Sequence, residues 1–445
     1  MLRLTLLLAA AFSTTACASR IELPGSVLPP EQEAAAAVEG MGAPEPWRSV
    51  DATTAQITDA EGLAQLAEDF PDSASVRLRL LGNAYRDDRP DDVLQNWHWL
   101  MDRNYWLEHQ TVVQLGAYLA SKGEQYTGGV GDDLRIAHEA TLDLPRESSE
   151  LISVVPEAIR LPEAVLRDES NGRTLVTSIV CRGLFSQDDG AAWREVVIDD
   201  AGSLAGIALD EPRGLIWIGS GVVDQTPNPE TAFRGIIAID RITLEERRRV
   251  PAPDGVSISD IAVGPDGTVY GSDPVGGGVY SAALGDIAMQ TFIAPGTFRS
   301  PQGIAVRPDN TALYISDYRY GLAQVMIRSR IAYRMRAAQP MLLDGVDGLR
   351  LRGNELIAVQ NGLDPQRVTA FELGQGIGVI AANRTLEIAN PDWTEPLGGS
   401  ISGDSFYYIG TGQWDIYGEG GVVNEGASSR PAQIRRLQLV ETPPE

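Results

Sequence analysis

A short motif that returns six times along the last two thirds of the chain predicts a mainly β fold, a six-bladed β-propeller preceded by an N-terminal all-α region. Each copy starts with a small or polar residue, often Gly, and runs into a brief apolar strand: Pro162-Glu163-Ala164-Val165, Leu204-Ala205-Gly206-Ile207, Ile258-Ser259-Asp260-Ile261, Pro301-Gln302-Gly303-Ile304, Val346-Asp347-Gly348-Leu349 and Leu397-Gly398-Gly399-Ser400. The intervals lie between 42 residues (162 to 204) and 54 residues (204 to 258). A second observation is that helical spacing of apolar residues is confined to the part before about Gly123. A third is the pair of tight-turn signals, Pro265-Asp266-Gly267 and Pro308-Asp309-Asn310, placed between first and second strands.

Within each copy a second strand follows the first, at 174–178, 215–220, 269–273, 313–317, 356–360 and 406–410. Third strands stand at 183–186, 235–240, 278–282, 321–327, 368–373 and 434–439, while fourth strands are fainter, for example 192–198 and 244–250. A β-sandwich does not explain one motif order recurring six times. The propeller is therefore expected over 151–445.

Four segments are expected in all. Residues 1–17 put Arg3 before a short apolar run, as an export signal does, and end in Thr14-Thr15-Ala16-Cys17. That string resembles a bacterial lipobox, which would make Cys17 the lipidated N-terminus of an exported protein facing the periplasm; an ordinary signal peptide with an incidental cysteine is the other reading. Ala18 after the cysteine resembles lipoproteins sorted to an outer membrane. Residues 18–50, rich in Pro, Ala, Gly and Glu, read as a flexible tether. Residues 51–150 are expected to be helical, with Leu63, Leu66, Ala67 and Phe70, then Val76, Leu80, Leu81, Ala84 and Tyr85, each on one face. There Leu81-Gly82-Asn83-Ala84-Tyr85 followed by Asp91-Asp92-Val93-Leu94 resembles a single tetratricopeptide hairpin, in which the small Gly82 would let two helices approach closely.

The net charge of −25, with Lys122 the only lysine, repels phosphate, so nucleic acid is excluded as a partner and a membrane would be met only through the lipid anchor. Cys181 has no partner if Cys17 carries lipid, and it reads as a small buried hydrophobe. His98, His109 and His138 all precede the propeller, so the propeller cannot supply a Ser-His-Asp triad from its own residues. No phosphate-binding glycine loop is present.

The strings Pro301-Gln302-Gly303-Ile304-Ala305-Val306-Arg307-Pro308-Asp309 and Leu313-Tyr314-Ile315-Ser316-Asp317 resemble the blades of the SMP-30/gluconolactonase superfamily, which begin N-G-L-A-F-S-P-D and continue L-Y-V-A-D. The resemblance covers about two thirds of the chain. It implies a divalent cation, usually Ca²⁺, near the mouth of the central channel, held by oxygen ligands from several inner strands. Carried residue by residue, it implies that Glu163 is a metal ligand and that Asp347 is both a ligand and the catalytic carboxylate. Gln302 and Ser259 stand where the family has asparagines, and would complete the ligand set. Aligning the repeats gives one column, Glu163, Ala205, Ser259, Gln302, Asp347 and Gly398, as the expected lining of the channel mouth. Asp260 either compensates for Ser259 or caps its strand. Asn361, Gln413 and Trp414, at strand ends, either line the mouth or serve as core and turn residues. Two functions stay open: a divalent-metal-dependent hydrolase of a lactone or ester, and a non-catalytic envelope module that binds a small ligand or a protein.

Overall fold

The computed structural model describes residues 41–126 and 144–439. Among these residues the strands form six sheets, and the first strand of each touches the first strands of its two neighbours. The ring runs through Pro162–Asp168, Ser203–Asp210, Ile261–Val263, Pro301–Val306, Gly348–Arg352 and Gly399–Ser402, then back to Pro162–Asp168. This closed ring of inner strands makes the fold a six-bladed propeller, as the repeats predict.

Why each copy carries a small residue beside its polar one follows from the ring. A Cβ on Gly303 would stand 2.5 Å from the backbone nitrogen of Leu349, and one on Gly348 would stand 2.7 Å from the Cα of Gly398. Inner strands of adjacent blades approach so closely near the axis that only glycine fits at these contacts.

Blades one to four take their strands in chain order from the axis outward, and blade five does so apart from the short strand Arg336–Ala337, which precedes its inner strand and pairs parallel with Val379–Ile388 at the outer edge. Blade six does not. Its outermost strand is Ser149–Val155, which precedes blade one in the chain and pairs antiparallel with Ala432–Gln438, from Ser149 opposite Leu437 to Val155 opposite Ala432. A ladder of backbone hydrogen bonds thus joins the two ends of the propeller, which leaves no blade with a missing edge. The repeats alone do not show this strand, because it lies outside the first copy.

Four α-helices are described before the propeller: α1 (Ala60–Asp69), α2 (Ala74–Arg86), α3 (Pro90–Met101) and α4 (His109–Lys122). Asp59 caps α1 by accepting from Gly62 N at 2.8 Å, and Pro90 opens α3, where a missing N–H is harmless. The helices share cores with the propeller. Leu63, Leu66, Phe70 and Val76 pack with Phe298, Ile315 and Tyr320 of blades three and four, and Leu81, Trp97 and Leu115 pack in one cluster with Leu342 and Leu363 of blade five.

One polar contact fixes this layer. The buried Asp344 carboxylate, just before blade five, accepts from Ala74 N at 3.0 Å, Ser75 N at 2.8 Å and Ser73 Oγ at 3.1 Å. The propeller therefore caps α2, and the negative charge faces the positive end of the helix dipole.

Two expectations change here. The end of the expected tether is held: Trp47 and Val50 are buried, Trp47 N donates to Ala332 O at 2.9 Å, and Val50 N donates to Thr297 O at 3.1 Å. Trp47 packs its ring, tilted, 5.1 Å from both Phe70 and Phe298, which outweighs the polar composition around it. Gly82 is not a close-approach point between helices either, since a Cβ there would meet nothing within 4 Å. Cys17 and His138 lie outside the described residues.

Asp344→Ala should lower the stability of the chain by roughly 2 kcal/mol, because it leaves buried donors unpaired and removes a helix cap. Urea unfolding of the purified protein checks this, and limited proteolysis should cut first within 60–122. A loss under about 0.5 kcal/mol, the range of a neutral surface change, would contradict the role given to Asp344.

Candidate functional site

Because every inner strand starts at the same end of the ring, residues at or just before those starts meet at the axis. They enclose a small cavity of about 20 Å³, room for one water or one ion. Glu163 and Ala164 come from blade one, Gly206 from blade two, Ser259 and Asp260 from blade three, Gln302 from blade four, Asp347, Gly348 and Arg350 from blade five, and Gly398 from the approach to blade six. All six blades contribute.

Three acidic groups dominate the chemistry. Glu163 Oε2 accepts from Trp414 Nε1 at 2.8 Å. Asp347 accepts from the Gly398 backbone N–H. Glu395, in the loop before blade six, accepts from Trp414 N at 3.4 Å, so one tryptophan addresses two carboxylates. Burial pushes the Glu163 carboxyl well above its ordinary value, and the nearby Asp347 charge adds to this, against the Trp414 hydrogen bond. Asp347 is pushed up to about 7, by burial first and then by the charges of Glu395 and Asp260, against Arg350. Burial also raises Glu395.

Asp260 behaves differently. Arg350 grips it at both oxygens, Nη1 to Oδ2 at 2.6 Å and Nη2 to Oδ1 at 3.0 Å, and Ile304 N donates to Oδ2 at 3.1 Å. The guanidinium reaches from blade five past blade four to blade three. A bidentate pair of this kind fixes the Asp260 carboxyl in position and places a positive charge among the acids.

The sequence-derived residues divide accordingly. Glu163, Ser259, Gln302, Asp347 and Gly398 of the column, together with Asp260, line the cavity; in blade two Gly206 takes the place expected of Ala205. Asp260 neither replaces Ser259 as a free ligand nor merely caps a strand, because Arg350 claims both its oxygens. Trp414 meets the site through Glu163 and Glu395. Asn361 lies outside the cavity wall and accepts from Tyr318 Oη at 2.9 Å. Gln413 is buried and turned to the backbone of Arg430, donating to its oxygen at 2.8 Å and accepting from its nitrogen at 2.9 Å, so it braces the loop between Ile409 and Ala432. The residues that sequence reasoning missed are Arg350 and Glu395. An arginine three residues after the aspartate of copy five was the available signal for Arg350. Glu395 falls outside the repeat motif and carried none.

The donor set fits a hard cation in part. Two carboxylates whose proton affinity is raised, with the amide oxygen of Gln302, are oxygen ligands of the right type. Among the described residues, however, no group of three or more His, Cys, Asp or Glu side chains is arranged to hold a metal. A cation here would depend on Glu163, Asp347, Gln302 and solvent.

Neither a family model nor a curated protein matches this chain. Solved structures similar to it in outline include a gluconolactonase from Xanthomonas campestris (14% identity, 66% of this chain and 97% of that one, TM-score 0.44). A putative gluconolactonase has 15% identity over 67% of this chain and 94% of that one, with TM-score 0.43. A calcium-binding regucalcin from Agrobacterium tumefaciens has 17% identity over 58% and 85%, with TM-score 0.41. At such identities these likenesses concern shape and assign no activity.

A pH dependence follows from Asp347. Its carboxyl binds a proton more tightly in the folded chain, at about 7, than its ordinary value of 3.8, so its contribution to stability is complete below pH 4 and is lost as pH rises through 7. With chelator present, Asp347→Asn should therefore gain stability relative to the parent between pH 4 and 7, by on the order of 2–4 kcal/mol, and level off above that. Thermal or urea unfolding across pH 4 to 8 reads this out, and a difference that stays constant over the range contradicts it.

Proposed function

We propose that the chain is a hydrolase of a small lactone or ester whose reacting carbonyl is brought to the axial carboxylates. The observation that carries this reading is Asp347, a half-buried carboxyl pushed up to about 7 in the axial cavity, beside Glu163 and within the field of Arg350. Asp347 in its ionised form takes a proton from water as the water oxygen bonds to the carbonyl carbon. The ring carbon–oxygen bond then breaks, and the proton passes from Asp347 to the departing oxygen. Trp414 holds Glu163 in place by its indole N–H, and Arg350 together with Asp260 keeps a fixed charge at the cavity wall. If a divalent cation such as Ca²⁺ is bound, Glu163, Asp347 and Gln302 would hold it, and its chemistry there would be to polarise the carbonyl.

A specific observation favours a second reading, a non-catalytic propeller that binds a small ligand or an envelope protein. The cavity has room for only one water or ion. A substrate would have to present its carbonyl from the channel mouth above it.

The N-terminal string ending in Cys17 supports export and lipidation, with the propeller facing the periplasm from an outer membrane. Among the described residues no helix is long and apolar enough to cross a membrane. Metabolic labelling with palmitate should mark the parent chain and not Cys17→Ala.

The activity test uses a panel of sugar lactones and aryl esters, each with added Ca²⁺ and with chelator. Turnover should appear on at least one lactone or ester and fall about 10²- to 10⁴-fold in Asp347→Asn, the range for loss of a general base. Absence of turnover on the whole panel, or an undiminished rate in Asp347→Asn, refutes the hydrolase reading.

A further inference from the structure

A second concavity, of about 480 Å³, opens between α2 and α4 of the helical layer and shares no residue with the axial cavity. Its volume lies in the range of sites that enclose a small organic molecule. Leu78, Leu81 and Tyr85 of α2 face Leu115 of α4 across it, and Trp106 lines it too. Trp106 N donates to Asp364 O at 2.7 Å, which ties this wall to the loop between the second and third strands of blade five.

Its charged lining is all of one sign. Glu108 and Asp364 are the carboxyls of the lining, and among the described residues no Lys or Arg contributes to it. Burial raises Asp364, and the charge of Glu108 is the next cause, so the two acids feel each other. Arg367 acts on Asp364 from the propeller side, but it donates its hydrogen bonds elsewhere, to Pro365 O at 3.2 Å and Asn104 O at 2.6 Å. The ring of Trp106 already has one cation over it, since Arg146 Cζ lies 5.6 Å from its centroid.

We propose that this groove is a separate binding site for a small amphiphilic amine, with its alkyl or aryl body against Leu78, Leu81 and Leu115 and its ammonium group at Glu108 and Asp364. Apolar walls supply the contact area, and two acids, neither of them in an ion pair among the described residues, select the sign of the head group. An anionic amphiphile of equal length would bury the same carbon surface and meet repulsion at its head. The site stands independently of the hydrolase reading, since it uses none of the axial residues.

Gly82 supplies the control. It lines the groove, and a Cβ there would meet nothing within 4 Å, so Gly82→Phe can put a ring into the space without a backbone clash and with a gain in helix propensity. Titration calorimetry on the full chain compares n-octylammonium chloride with sodium octanoate, both below their micelle concentrations and at equal ionic strength. The ammonium should bind at least about tenfold more tightly, a difference of about 1.4 kcal/mol. Glu108→Gln combined with Asp364→Asn should bring the two probes close to equal affinity. Gly82→Phe should weaken octylammonium at least about tenfold while its melting temperature stays at or above the parent's. Three outcomes overturn the proposal: octanoate binding as tightly as octylammonium, Gly82→Phe leaving binding intact, or binding of neither probe, which would mean that other residues of this chain or a second copy cover the groove.

Discussion

Everything at the axis depends on how closely six inner strands approach one another. Gly303 lies against Leu349 and Gly348 against Gly398, at separations that a side chain would violate. Once backbones are this near, the polar residues beside those glycines have nowhere to spread. Glu163, Asp260 and Asp347 are forced into the wall of a cavity that holds a single small occupant. The raised proton affinities of Glu163 and Asp347 are a consequence of this packing, since water that would stabilise their charges is excluded.

The fold answers this crowding in two ways. Arg350 neutralises one acid outright through Asp260, and Trp414 moderates another by a single hydrogen bond to Glu163. Asp347 keeps only the Gly398 N–H and the more distant Arg350 charge, which is why it is left near neutrality. Buried ion pairs rarely add stability when compared with an apolar pair, so the Arg350 clamp is better understood as setting charge and position than as holding the ring together. Ring closure comes instead from the ladder between Ser149–Val155 and Ala432–Gln438.

The helical layer belongs to the same body as the propeller. Its helices bury their apolar faces in cores shared with blades three to five, and Asp344 of the propeller provides the cap of α2. This explains how residues with the composition of a linker, from Glu45 to Val50, come to be ordered: Arg334 and Arg336 pair with Glu45 while Trp47 fills a gap between Phe70 and Phe298. It also explains why the tetratricopeptide-like string forms an open groove beside Gly82. Its partner surface is partly supplied by blade five, through Asp364, in place of another helical repeat.

Six blades, the order of their inner three strands and most of the axial column were legible in the amino-acid string, because a repeat that must bury one face against its neighbours imposes the same local pattern each time. Glu163, Gln302 and Asp347 could be found because they occupy equivalent places in that pattern. Arg350 left only its spacing from Asp347 as a sign, and Glu395 left none, since their relation to the site depends on distances across the ring or through loops that the repeat does not constrain. Gln413 and Trp414 are adjacent in sequence, yet one braces a loop and the other touches two acids; the short helical turn Trp414–Ile416 decides which way each points. Local pattern therefore settled what kind of blade is built and how many there are. Only the closed ring decided which charges meet, because burial and separation are properties of the packed chain and of no single segment.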